Sequence, residues 1–201
     1  MRFNAIDYKA AQDARTFAAD QLKLAFPHLI PVSEKNNSLV AAAKNIRIEL
    51  ARSFPGIKFS VKTERYSGGN SITVSWTDGP TSAQVEEISK KYNAGHFDGM
   101  TDCYDYRKDH AWTDAFGCGK YISSSRTYSP ALVQLAIDFL WTKYRPQYPK
   151  ISPDDYFSGR AWSVQVYEWQ YPGDSNAQTQ IHRFAHKYDC ITNELSEDYS
   201  S

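Results

Sequence analysis

The residue types best suited to chemistry crowd into one stretch, AGHFDGMTDCYDYRKDH, at 94–110. His96, Asp98, Asp102, Cys103, Asp105, Asp109 and His110 fall within 15 positions. Carboxylate and imidazole ligands at such spacing can hold a divalent cation. The stretch lacks the ligand order and terminal Glu of an EF-hand, and no C-x-x-C marks a zinc site. The plainer reading is a turn-rich loop whose Asp side chains satisfy their own backbone. Cys103 or Cys118 beside His96 or His110 would make a nucleophile and base, but no local protease signature accompanies them. His182 and His186, with Cys190 following, form H-x-x-x-H without the Glu of a metalloprotease. P-loop, dinucleotide and nucleophile-elbow motifs are all absent. No cofactor, metal or catalytic residue is therefore expected, and weight moves from catalysis towards binding, with Asp98, Asp102 and Asp105 as acidic contact candidates.

The second candidate is a polar face. In FPGIKFSVKTERYSGGNSITVSWTDG, two alternating runs flank a Gly-Gly turn, which predicts a β-hairpin. Phe59, Val61, Ile72, Val74 and Trp76 face a core. Lys58, Ser60 and Lys62, with Ser71, Thr73 and Ser75, face away. Lys44, Arg47 and Arg52 lie on the preceding helix and Arg65 leads into the turn. Cations with hydroxyl donors suit phosphate contacts. Yet every half-buried antiparallel sheet has a polar side, and this one shows no ring on which a base could stack. Lys58, Lys62, Arg65, Tyr66 and Asn70 are the candidate contacts, for protein or for nucleic acid.

These candidates need elements to position them. Tyr8, Ala11, Ala14, Phe17, Ala18 and Leu22 recur at helical spacing over 7–26, behind Asp7 as a cap. Leu39, Ala43, Ile46 and Leu50 predict a helix over 38–54, stopped by Pro55-Gly56. The hairpin follows, then a helix from Thr81 or Ser82 to Tyr92. Residues 93–128 read as irregular. Ser129-Pro130 begins a helix to Tyr144 with a wide apolar face. RPQYPKISPDDYFSG reads as a linker. AWSVQVYEWQY, 161–171, alternates as a strand; PGDSN turns it and TQIHRFAHKY pairs back. The acidic end NELSEDYSS frays.

The fold class is therefore α+β: an antiparallel hairpin sheet packed by helices, with a C-terminal helix and additional strands. The expected organisation is an N-terminal helix and connector (1–37), a helix–hairpin–helix module (38–110) and a C-terminal part (111–201), packed as one unit.

Bulk properties narrow the function. The chain has 201 residues with 23 basic and 23 acidic side chains, so its net charge is zero. A DNA-coating protein is usually basic, and any nucleic-acid role must rest on a local patch. Aromatics reach 14%, with 14 Tyr and 5 Trp, types favoured at binding surfaces. Three cysteines do not make a disulfide framework, nothing reads as a signal peptide, and no stretch is a membrane span. The chain reads as cytosolic and reduced, without a membrane partner.

Residues 44–106, from KNIRIELARSFPGIKFSVKTERYSGGNSITVSWTDGPT to FDGMTDCYDY, resemble the large polyvalent protein associated domain 29 family. The resemblance implies a protein of a phage or conjugative element, acting in the cytoplasm of a bacterial host against its defences. It carries over no catalytic residue. It does imply that the hairpin and the FDGMTDCYDY loop form one structural unit. The expected function is stoichiometric inhibition of a host defence nucleoprotein complex or enzyme, of the interference or restriction type. The alternative is a nucleic-acid-binding accessory protein of phage or plasmid DNA processing.

Overall fold

Asn37 opens the best-packed helix. Its side chain accepts from the Val40 N–H at 3.1 Å, satisfying one of the donors that a helix start leaves orphaned. Helix α2 runs Ser38–Ser53 and buries Leu39, Ala42, Ala43, Ile46 and Leu50, the apolar stripe its sequence period demands. The computed structural model describes residues 5–98, 100, 103–106, 110–146, 148–166 and 175–196.

In chain order, α1 (Ala5–Ala25) precedes α2; the hairpin β1 (Ser60–Tyr66) and β2 (Gly69–Thr77) follows. Then come α3 (Ser82–Ser89), β3 (Gly95–Asp98), β4 (Cys103–Tyr106), α4 (Ala111–Phe116) and β5 (Tyr121–Thr127). The chain ends in α5 (Pro130–Tyr144), α6 (Pro153–Phe157), α7 (Ala177–Lys187), β6 (Tyr188–Asp189) and β7 (Glu194–Leu195). The class is α+β. Among the described residues, packing separates two units: one within 1–75 and 83–125, the other within 76–82 and 126–201.

In the first unit, β1 and β2 pair antiparallel in one register, from Ser60 opposite Ser75 to Tyr66 opposite Gly69. The two-residue turn Ser67-Gly68 sets that register. Val61, Ile72 and Val74 are buried with Ile46 and Leu50 of α2. Strand order is β1-β2-β5, so β1 lies at an edge. Asn45, wholly buried, clasps two distant segments: it accepts from Ile30 N–H at 2.7 Å and donates to the Ile30 and Phe116 carbonyls at 2.8 and 3.1 Å. Inside, Glu49 accepts from the Tyr92 hydroxyl and the Lys91 ammonium. Burial, then that carboxylate, keeps Tyr92 protonated far above the ordinary tyrosine range.

Helix α1 forms where its period predicts, but Ala11, Ala14 and Phe17 are exposed, Phe17 by 65%. Ala19 is buried instead, because α1 packs through its later turns against α4. A cleft of about 490 Å³ between them is lined by Gln12, Arg15 and Thr16 and by Asp114 of α4, whose two carboxylate oxygens accept from Arg15.

In the second unit, Ser129 caps α5 by accepting from Leu132 N–H at 3.2 Å, with Pro130 at the first turn. Three sequence readings need correcting here. The stretch read as a linker contains α6, closed by a capping box between Ser152 and Asp155. Ala161 and Trp162 lie in a 3-10 turn (Arg160–Ser163), not a strand; residues 167–171 fall outside the described residues. TQIHRFAHKY is not a returning strand: most of it lies in helix α7, capped by Asn176 accepting from Thr179 N–H at 2.8 Å. Ala177, Ile181, Phe184 and Ala185 are buried, a helical spacing.

The Asp155 carboxyl is held at about 2 by the Ser152 backbone N–H, the Arg160 guanidinium and the Ser152 hydroxyl. A depressed carboxyl stabilises the fold above its unfolded value, about 4, and loses that contribution as pH falls towards 2. Acidification through that window is expected to lower the melting temperature. Asp155→Asn should lower it at neutral pH and flatten the dependence, read by circular dichroism; an unchanged slope would remove Asp155 as a source.

Candidate binding surface

The sheet face turned away from α2 is set by the register. Lys62 stands opposite Thr73 and Glu64 opposite Ser71, while the core-facing residues are Ile72 and Val74. Thr73 and Ser123 hydroxyls meet at 3.4 Å, which puts Ser123 of β5 on the same outward face, and with it Tyr121 and Ser125. Sequence reasoning took residues 93–128 as irregular and found no ring on this face. Both points change. The segment contains β3, β4, α4 and β5, and the face ends in rings: Tyr66 is 48% and Tyr121 38% exposed.

Gly69 lies between those rings. A Cβ there would stand 3.4 Å from the Tyr66 ring, 3.7 Å from the Tyr121 ring and 3.0 Å from Lys120 Cδ. The missing side chain lets the rings flank an open notch. Lys120, a candidate contact that the sequence pattern does not reveal, organises the other side. Its backbone N–H donates to Asn70 Oδ1 at 2.9 Å and its ammonium to the Gly68 carbonyl at 2.9 Å. The ammonium lies 5.3 and 5.5 Å from the Tyr104 and Tyr121 ring centres, within cation–π range. Tyr104 donates to the Lys120 carbonyl at 2.5 Å and meets Tyr106 and Tyr121 edge-on at 4.9 and 5.5 Å. Tyr106 is 64% exposed. Burial, then the neighbouring tyrosines and Cys118, push the Tyr104 hydroxyl up to about 12, so at neutral pH it is a donor.

Through Tyr104, the described end of the FDGMTDCYDY stretch is tied to Lys120 and so to the hairpin turn; Gly99, Thr101 and Asp102 lie outside the described residues. Among the sequence-named residues, Tyr66 and Asn70 join the cluster directly. Lys62 lies on the same face, four register pairs from the turn-flanking pair Tyr66–Gly69. Arg65 is exposed opposite Asn70 on the other side of β1, and Lys58 is exposed before β1 begins. Asp105 is paired in register with His96, with Asp105 Oδ2 and His96 Nε2 3.9 Å apart in the open. Asp98 closes β3 opposite Cys103, and Asp102 lies outside the described residues.

The helix cations do not extend this face. Lys44 donates to Asn36 at 2.9 Å and Arg47 to the Val61 carbonyl at the edge of β1, so neither reaches the outward face. The face also carries Glu64, so it is not the unbroken Lys, Ser and Thr array that alternation suggested. Cys118 Sγ meets Ser38 Oγ at 3.3 Å rather than a histidine. No group of three or more His, Cys, Asp or Glu that could hold a metal occurs among the described residues. No helix among them is long and apolar enough to cross a membrane.

The surface is thus a Ser/Thr sheet face ending in three exposed tyrosines braced by Lys120. Residues 38–129, just under half of the chain, match the family model described as large polyvalent protein associated domain 29. No curated protein and no solved structure matches the chain.

Proposed function

We propose, from the domain of this phage-associated family at residues 38–129, that the protein is a mobile-element accessory protein that acts by binding another protein. The observation supporting this reading is the cluster of Tyr66, Tyr106 and Tyr121 around Lys120 beside a Ser/Thr face. Tyrosines offer large contact area with few rotors, and hydroxyls offer adaptable hydrogen bonds; antibody paratopes use the same mixture. Lys120, Asn70 and Tyr104 hold the rings before any partner arrives, which reduces the entropy lost on binding. In a protein of a mobile element the partner is a component of a host defence complex, and inhibition is stoichiometric, by occlusion. The alternative is single-stranded nucleic acid stacked on the same rings. Charge favours protein: the surface carries only Lys62 and Lys120 against Glu64, and the Lys120 ammonium is engaged by the Gly68 carbonyl, whereas a phosphate binder accumulates cations.

The test is capture from bacterial lysate with and without nuclease, followed by affinity measurement with the captured species. A host protein retained at stoichiometric yield after nuclease is expected. Replacing Tyr66 and Tyr121 with serine should weaken its binding about 30-fold or more, with the folded circular-dichroism spectrum retained. Recovery of nucleic acid alone, with affinity falling steeply as salt rises, would overturn the protein-binding reading.

A further inference from the structure

Strand β1 ends the sheet; among the described residues no strand pairs with its free side, which the Arg47 guanidinium touches at the Val61 carbonyl. The two-residue turn makes Tyr66 and Gly69 a hydrogen-bonded pair, so Ser60, Lys62, Glu64 and Tyr66 spend their backbone groups on β2. Val61, Thr63 and Arg65 direct theirs outward. The Arg47 guanidinium confirms the direction by donating to the Val61 carbonyl. Thr63 and Arg65 are exposed, so their side of the edge is uncovered too.

Proteins protect such edges with charge, and β1 carries Lys62, Glu64 and Arg65. Here the charges are also self-complementary. Two antiparallel copies of SVKTERY centred on Thr63 place Lys62 of each directly opposite Glu64 of the other. Thr63 faces Thr63 as a hydrogen-bonded pair. Lys62 and Glu64 then fall in the non-hydrogen-bonded positions, where side chains stand closest. Slipping the register to centre on Lys62 sets lysine against lysine; centring it on Glu64 sets glutamate against glutamate. One register is attractive and its neighbours are repulsive. Within their own chain Lys62 and Glu64 face only Thr73 and Ser71 across the hairpin.

We propose that β1 is a homodimer interface, in which two copies join edge to edge through an isologous antiparallel pairing about Thr63. The two sheets then form one six-stranded sheet. Its Ser/Thr faces become continuous, with a tyrosine cluster at each end. This inference does not depend on what the tyrosines bind.

Sedimentation equilibrium tests it. The wild type is expected to dimerise reversibly. Lys62→Glu or Glu64→Lys alone should raise the dimer dissociation constant about tenfold or more, because both symmetric pairs turn repulsive. An equimolar mixture of the two variants should recover a dimer, since one strand then carries two acids and the other two bases. Thr63→Pro should give a folded monomer: it removes an outward N–H that β2 does not use. A wild type that stays monomeric up to about 1 mM would overturn the proposal. So would a dimer indifferent to the single charge changes, or a variant mixture that stays monomeric.

Discussion

Lysine in place of Arg126 is expected to destabilise the second unit by about 4 kcal/mol or more, an exceptional cost for one conservative change. The Arg126 guanidinium donates to the carbonyls of Asp78 at 2.7 Å, Gly79 at 3.0 Å, Ala185 at 3.0 Å and Tyr188 at 2.9 Å. It also approaches the His186 carbonyl at 3.4 Å and Cys190 Sγ at 3.5 Å. The Ala185 and His186 carbonyls belong to the last turn of α7, where carbonyls lack helical partners and a cation is favoured. A lysine ammonium is a single point with three donors and cannot reproduce a planar fork reaching both sides. Each partly buried carbonyl left without a donor costs about 1–3 kcal/mol. Denaturant unfolding of Arg126→Lys measures the loss. Cys190 supplies a second readout: its Sγ lies 3.5 Å from the fork, so its alkylation should quicken where the variant opens this contact. A midpoint within about 1 kcal/mol of wild type would show that the fork is dispensable.

Gly117→Ala is expected to cost about 3 kcal/mol or more in the first unit, for two additive reasons. Gly117 ends α4 at φ 88°, a region that L side chains avoid. A Cβ there would stand 2.1 Å from the Ser38 carbonyl oxygen and 2.9 Å from the Ala42 nitrogen, both in the backbone of α2. Backbone cannot rotate aside, so α4 must leave α2. That displacement takes the Phe116 carbonyl from Asn45 and the Ala115 carbonyl from Val32 N–H. Thermal unfolding and proton spectra near Asn45 report it. A variant melting with the wild type would mean that the α2–α4 contact adapts.

What could be read in the sequence divides along a physical line. α2, the β1–β2 hairpin and α5 carry both periodic apolar residues and their own stop signals, and these set boundaries within a few positions. Strand β5 carries neither. YISSSRT has one apolar residue facing inward, and it is a strand because β2 offers it an unpaired edge. That is a tertiary cause, invisible locally. Helix α7 was legible and misread: Ile181, Phe184 and Ala185 have helical spacing, but Asn176 looks like a hairpin turn until its side chain is seen capping Thr179. The binding surface divides likewise. Tyr66 and Asn70 sit in a recognisable turn. Lys120 comes from a glycine-flanked segment with no pattern and reaches Asn70 across 50 residues of chain.

The reach of Arg126 also bears on what the segment 38–129 needs around it. The family segment ends at residue 129, just after Arg126, yet four of the six groups that its fork approaches lie at 185–190. At the other end, Asn45 and Ala115 hold Ile30 and Val32, which precede the segment. Recombination that transplanted 38–129 alone would carry an arginine with most of its acceptors missing and an asparagine without its strap. A recipient chain must therefore supply a carbonyl-rich turn downstream and an extended tether upstream.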